Sequence, residues 1–168
     1  MTEPFAIRVA SPADAQALHE LGAAVTHPTY APIAGEGYAA YVMETWWRTD
    51  YIADSMQRTT HYVAERDGSV IGTAVVGEMD GEPVLWKLYV LPTEHGTGIG
   101  SALLRTVVDG LPAGTERLLL SYLDGNTKAA AFYRSRGFGH LNTRSDSGGA
   151  TNHWMALPLT RDGTYRGQ

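Results

Sequence analysis

The stretch that decides the fold is Leu88-Tyr89-Val90-Leu91-Pro92-Thr93-Glu94-His95-Gly96-Thr97-Gly98-Ile99-Gly100-Ser101-Ala102-Leu103-Leu104. An apolar strand stops at Pro92, a glycine-rich turn follows, and an apolar helix opens near Ile99. At such a turn successive backbone N–H groups have no internal partner. With the positive end of the helix dipole they form an anion site. Glycine lets the backbone come close to a phosphate because no Cβ intervenes. A plain helix-opening turn has the same local pattern. Two common phosphate loops fail here. A Walker A loop ends in Gly-Lys-Ser/Thr, and this stretch has no lysine. A dinucleotide fingerprint beginning at Gly96 meets Ser101 at its last small position. One beginning at Gly98 meets Leu103. Such a fingerprint also calls for an acid about 20 residues on. Asp109 is too near, and Asp124 follows a pattern already broken.

Working outward, the spacing predicts a strand over 84–91 before the turn and a helix over 99–111 after it. A strand over 118–123 and a helix over 126–136 come next, the helix closed by Gly137. Two last strands are expected over 138–142 and 153–157. Upstream, strands over 61–65 and 70–76 flank Asp67-Gly68, and a second hairpin turn falls at Asp80-Gly81. The N-terminal part reads as a strand over 5–10 and a helix opened by Ser11-Pro12-Ala13-Asp14. A loop follows over 26–37, which holds two prolines and two glycines. Helices over 38–48 and 51–57 complete this part, and residues 160–168 read as a frayed end.

A second block, Asn126-Thr127-Lys128-Ala129-Ala130-Ala131-Phe132-Tyr133-Arg134-Ser135-Arg136-Gly137-Phe138, follows the first in order with a strand between. Asn126 and Tyr133 are seven residues apart and share a helix face. Together the two blocks resemble the GNAT acetyltransferase superfamily. Its coenzyme A motif reads Gln/Arg-x-x-Gly-x-Gly/Ala, and its later helix reads Asn-x-x-Ala-x-x-Phe-Tyr-x-x-x-Gly-Phe. Gly98 and Gly100 take the glycine places, while His95 stands where the family has Gln or Arg. Weaker likeness extends over 7–14, 62–72 and 155–157, so it spans nearly the whole chain.

The resemblance implies an α+β fold: a mixed, mostly antiparallel sheet flanked by helices, one domain over 1–168. Its two central strands splay to admit a pantetheine arm. It implies an acetyl-CoA-dependent N-acyltransferase with no metal, transferring acetyl to an amine by direct attack. The backbone of Leu88, Tyr89 and Val90 would meet the acetyl and pantetheine amides. His95, Gly96, Thr97, Gly98, Ile99, Gly100 and Ser101 would hold the diphosphate, and Asn126 would contact pantetheine. Tyr133 would stand near the sulfur as general acid, or else be a half-buried packing residue. Arg134 and Arg136 either reach the 3′-phosphate or are solvated surface charge. A catalytically silent acyl-CoA sensor and a protein or peptide N-terminal acetyltransferase are the alternatives.

Composition bounds the rest. The chain has 168 residues, 43% hydrophobic, with no cysteine and a net charge of −5. That excludes disulfides, thiolate metal sites and a cysteine nucleophile. No basic run suggests nucleic acid, and no apolar run approaches the roughly 20 residues of a membrane span. No signal segment is visible, which points to the cytoplasm. The expected partner is a small-molecule amine, and the chain is expected to be a monomer or homodimer. Tyr38, Tyr41, Trp46, Trp47 and Tyr51 lie among Glu36, Glu44, Asp50 and Asp54. The rings either pack in the core or a dimer contact, or with the carboxylates they receive a cationic amine.

Thr29-Tyr30, Tyr38 to Val42 and Lys87 to Leu91 resemble the spermidine/spermine N-acetyltransferase branch. The Glu that this branch often places early in the central strand falls at Val84. By strand alternation residues 82, 84, 86 and 88 share a face, which makes Glu82 the nearest candidate for the base, with Glu78 in reserve.

Overall fold

The computed structural model describes residues 4–159. The expectation of a frayed end at 160–168 lies outside the described residues. Among the described residues seven strands form one sheet: β1 (Ala6–Val9), β2 (Thr60–Arg66), β3 (Ser69–Met79), β4 (Glu82–Val90), β5 (Arg117–Leu123), β6 (Gly139–Ser145) and β7 (Thr151–Pro158). Their spatial order is β1-β2-β3-β4-β5-β7-β6. All neighbouring pairs are antiparallel except β4 and β5. The expected mixed, mostly antiparallel sheet is what the chain forms.

Both tight turns act as their sequence says. Asp67 and Gly68 have φ of 52° and 78°, and Asp80 and Gly81 have 53° and 82°. Two successive positive φ values match the twist of the flanking strands. These turns set β2, β3 and β4 as a meander.

Among the described residues five α-helices flank the sheet: α1 (Ala15–Ala34), α2 (Glu36–Trp46), α3 (Thr49–Ser55), α4 (Ile99–Asp109) and α5 (Thr127–Ser135). Against one face pack Ile99, Leu103, Leu104 and Val107 of α4 and Tyr133 of α5, with Ala74, Leu85, Leu118, Leu120 and Met155. Against the other face Leu18, Leu21 and Val25 of α1 gather with Val42, Trp47, Ile52 and Val63.

One sequence expectation is corrected. Most of residues 26–37 is helix, not loop, because α1 runs on through Pro28 and Pro32 to Ala34. Proline removes one helical hydrogen bond and crowds the carbonyl four residues back. Pro28 and Pro32 are four residues apart, so they share one face, and both are exposed, as is Ala24. The carbonyls of Ala24 and Pro28 that lose their partners therefore face water. The opposite side of the same turns carries buried Val25 and Thr26.

Candidate active site

The parallel pairing of β4 with β5 is short. It joins Val84 to Leu119 and Leu85 to Leu120, and beyond Leu85 the register ends. The strands separate there, and the gap is a narrow cleft of about 60 Å3. Tyr30, Leu85, Trp86, Leu88, Tyr89, Ser121, Tyr122, Leu123, Asn126, Ala129 and Tyr133 line it. A bulge starts the separation. Val75 of β3 pairs with Lys87 and Val76 pairs with Leu85, which leaves Trp86 as the extra residue. Sequence reasoning did not anticipate this bulge.

The bulge corrects the reasoning that selected Glu82. Alternation is broken between 85 and 88, and Leu85 and Leu88 pack into the same core although they are three residues apart. Glu82 therefore keeps parity with Val84 but not with Leu88. Its carboxylate is also occupied. Arg117 donates from Nε to Oε2 at 2.5 Å and from Nη2 to Oε1 at 2.7 Å. The Arg117 guanidinium holds the Glu82 carboxyl below the usual carboxylate range, which makes it a weaker base. Glu78 is exposed on β3 opposite Pro83. Among the described residues that line the cleft there is no carboxylate and no histidine.

Asn126 and Tyr133 both reach the cleft from α5. The Asn126 side-chain carbonyl accepts from the Ala129 N–H at 3.2 Å and so caps the helix. Its amide N–H2 remains for the cleft. Tyr133 is 9% exposed and packs edge-on to Phe132 and Phe138. Burial pushes its hydroxyl well above the ordinary tyrosine value, and the neighbouring Tyr30 adds to the shift. It therefore stays protonated at neutral pH. No hydrogen bond from a described residue occupies that hydroxyl.

The glycine-rich turn lies between β4 and α4. Gly96 and Gly98 have φ of 81° and 86°, and a Cβ on either would meet no atom within 4 Å. The open side of the turn is thus bare backbone. No backbone hydrogen bond is donated by residues 97–101 to a described acceptor, and helical bonding begins with Ala102 N–H to Gly98 C=O at 3.0 Å. An N-terminal turn with free donors, next to a strand gap, is a cradle that suits the diphosphate and the extended arm of coenzyme A.

His95 behaves otherwise than expected. Its Nε2 turns back to the Val90 carbonyl at 3.0 Å, so the ring braces the turn and that nitrogen is not free for a phosphate. The guanidinium of Arg136 lies 4.4 Å from the Phe132 ring and donates to the Ser101 hydroxyl. A second brace is Arg66, which donates to Glu94 at 2.5 Å from the β2–β3 hairpin.

On the side of α1 and α2 an open groove of about 490 Å3 runs between Ala34, Gly37, Tyr38 and Tyr41 and residues 147–150 of the β6–β7 loop. Asp146 organises that loop. It accepts from Tyr38 at 2.8 Å, from the Gly148 and Ala150 N–H groups at 2.9 and 3.0 Å, and from Asn152 at 2.9 Å. Tyr41 bonds Ser147. The ring-and-carboxylate cluster seen in the sequence is divided: Tyr38 and Tyr41 line the groove, and Trp46 packs edge-on to Tyr51. Trp47 is core, and Glu36, Asp50 and Asp54 pair with His27, Arg48 and Arg58.

The splayed sheet and the glycine cradle are accompanied by likeness at the level of sequence. A model of the GNAT acetyltransferase domain matches residues 57–140. An uncharacterised N-acetyltransferase of Mycobacterium tuberculosis is 33% identical over 130 residues, which cover 73% of this chain and 82% of that protein. Among solved structures, the PaiA N-acetyltransferase of Thermoplasma acidophilum, in complex with coenzyme A, superposes with a TM-score of 0.77. It is 20% identical, and the match covers 94% of this chain and 100% of that one. An acetyltransferase of Thermus thermophilus gives 0.72 at 21% identity, covering 94% and 98%. The chain belongs to the GNAT acetyltransferase superfamily and is an acetyl-CoA-dependent acyltransferase. No described helix is long and apolar enough to cross a membrane.

Proposed function

We propose that this chain transfers the acetyl group of acetyl-CoA to a primary amine that enters through the groove between α2 and the β6–β7 loop. The observation that carries the reading is the loss of β4–β5 pairing beyond Leu85 and Leu120, which leaves a cleft with Tyr133 in its wall.

The free N–H groups of 97–101 would receive the diphosphate, with Gly96 and Gly98 allowing close approach. Backbone groups of Leu88, Tyr89 and Val90, released from pairing with β5, would bond the pantetheine and acetyl amides. The Asn126 amide would donate to the same arm. The Tyr133 hydroxyl would protonate the departing sulfur. A free phenol near ~10 already lies above a thiol near ~8.5, and burial raises Tyr133 further, so the proton transfer is uphill, while a positioned donor contributes about 10²–10⁴-fold.

With no carboxylate lining the cleft, the acceptor is presented as the neutral amine. The groove is walled by small residues, tyrosines and a serine, which suits a small molecule or a peptide N-terminus. Three of the four carboxylates that favoured a cation or polyamine, Glu36, Asp50 and Asp54, lie against basic side chains. Coenzyme A release, followed across polyamines, amino acids, aminoglycosides and short peptides, tests the reading. Release with an amine supports transfer. Calorimetric binding of acetyl-CoA with no release across the panel would instead make the chain a silent sensor.

A further inference from the structure

Val90 sits where the sheet has opened. The Leu91 N–H donates to the Ile71 carbonyl at 2.9 Å, and Val90 lies opposite Gly72. Along an antiparallel strand, successive residues turn their backbone groups toward the partner strand and away from it. The Val90 N–H and C=O therefore point away from β3, to the side from which β5 has parted. An edge opened in this way offers its polar groups to any extended segment that comes beside it. Here the carbonyl is already taken, because His95 Nε2 donates to it at 3.0 Å.

The side chain that takes it is free to leave. His95 is exposed, and the short 3-10 turn over Pro92–Glu94 carries its ring back to Val90. That turn is fastened by bonds other than the ring's. The Glu94 N–H donates to the Leu91 carbonyl at 2.8 Å, the Thr97 hydroxyl donates to the Glu94 carbonyl at 2.5 Å, and Arg66 holds the Glu94 carboxylate. The imidazole can swing away while these ties keep the turn in shape.

We infer that His95 is a displaceable stand-in for the cofactor arm: in the free chain its ring occupies the Val90 carbonyl, and an amide N–H of pantetheine has to expel it to pair with β4. This rests on the proposed acetyl-CoA site. The exchange swaps one hydrogen bond for another at the same oxygen, so the arm gains less from Val90 than it would from a bare carbonyl. When coenzyme A leaves, the ring returns and the edge is not left unpaired. His95 then acts against the cofactor, although it stands at the head of the glycine turn that holds it.

The test compares two ligands that differ only by the arm. Coenzyme A and 3′-phosphoadenosine 5′-diphosphate, the same nucleotide without pantetheine, are titrated by calorimetry into the wild type and His95→Ala. The ratio of the two affinities isolates the arm, because any loosening of the glycine turn weakens both ligands alike. Removing one exposed side-chain hydrogen bond that competes with the arm is expected to raise that ratio in favour of coenzyme A by about three- to tenfold. A ratio that stays at the wild-type value, as when the Val90 oxygen accepts both donors at once, overturns the inference. A ratio that falls also overturns it and makes His95 a ligand of the arm. Either result leaves the acetyl-CoA site standing, provided that coenzyme A binds the wild type. A wild type that binds no coenzyme A overturns both.

Discussion

Glu82 and Arg117 close a two-pronged ion pair across the starts of β4 and β5, on the side of the Val84–Leu119 pairing away from the splay. The pair is partly solvated, and such pairs add little stability. Glu82→Gln is expected to leave coenzyme A release at pH 7 close to wild type and to lower thermal stability only slightly. A large loss of turnover that recovers as pH rises would restore Glu82 as the base.

Gly98 has a φ of 86° with open space around the position of a Cβ. A side chain there meets no steric clash but carries the strain of the left-handed conformation, about 1–2 kcal/mol. It also stands over the free N–H groups of the turn. Gly98→Val should fold, with a modestly lower melting temperature, and lose at least tenfold in acetyl-CoA affinity by calorimetry. Unchanged affinity would move the diphosphate away from this turn.

Tyr133→Phe keeps the ring contacts with Phe132 and Phe138 and removes only the hydroxyl. Turnover is expected to fall about 10²-fold or more, within the range of a lost proton donor, with acetyl-CoA affinity nearly unchanged. Near-normal turnover would return Tyr133 to a packing role.

Asn126 has two separable duties. Its carbonyl caps α5 through the Ala129 N–H, and its amide is left for the cofactor arm. Asn126→Ala should cost about 1 kcal/mol of stability. Asn126→Asp keeps the cap but loses the amide donor. It should hold its melting temperature and show a raised KM for acetyl-CoA. Equal stability losses in the two variants would show that capping is not what the carbonyl does.

His61 is 3% exposed, with Nε2 3.0 Å from the Ser55 hydroxyl, and burial lowers its pKa from 6.5 to about 4. Above pH 6.5 the ring is neutral whether the chain is folded or unfolded. As pH falls through 6.5 the unfolded chain takes up a proton that the folded one refuses until about pH 4. Stability therefore drops by about 1.4 kcal/mol per pH unit from this group across that window. Asp14, held at about 2 by Arg8, adds its own loss only below its ordinary 3.8. His61→Gln should flatten the pH dependence of unfolding between 6.5 and 4, read by denaturant melts. An unaltered slope would assign it to other groups.

The sequence by itself determined what depends on neighbours along the chain. Asp67-Gly68 and Asp80-Gly81 specify tight hairpins because few other residue pairs accept two positive φ values in succession. Gly96 and Gly98 before an apolar helix specify a bare-backbone turn, and Asn126 with Gly137 brackets α5. Those local signals, with their order, were enough for the mixed sheet and the transferase class.

Tertiary structure decided the rest, because the remaining outcomes hang on contacts between distant residues. Pro28 and Pro32 read as loop residues until α1 is packed with their face to water. Glu82 had the right parity until the Trp86 bulge, visible only in the register against β3, broke it. Arg117, 35 residues on, then took its carboxylate. Glu36, Glu44, Asp50 and Asp54 read as a cation site, and in the fold Glu36, Asp50 and Asp54 each lie beside a basic side chain. Tyr30 and Tyr89 are 59 residues apart. Nothing local marks them as partners; the packing of α1 against the sheet brings their hydroxyls together in the wall of the cleft.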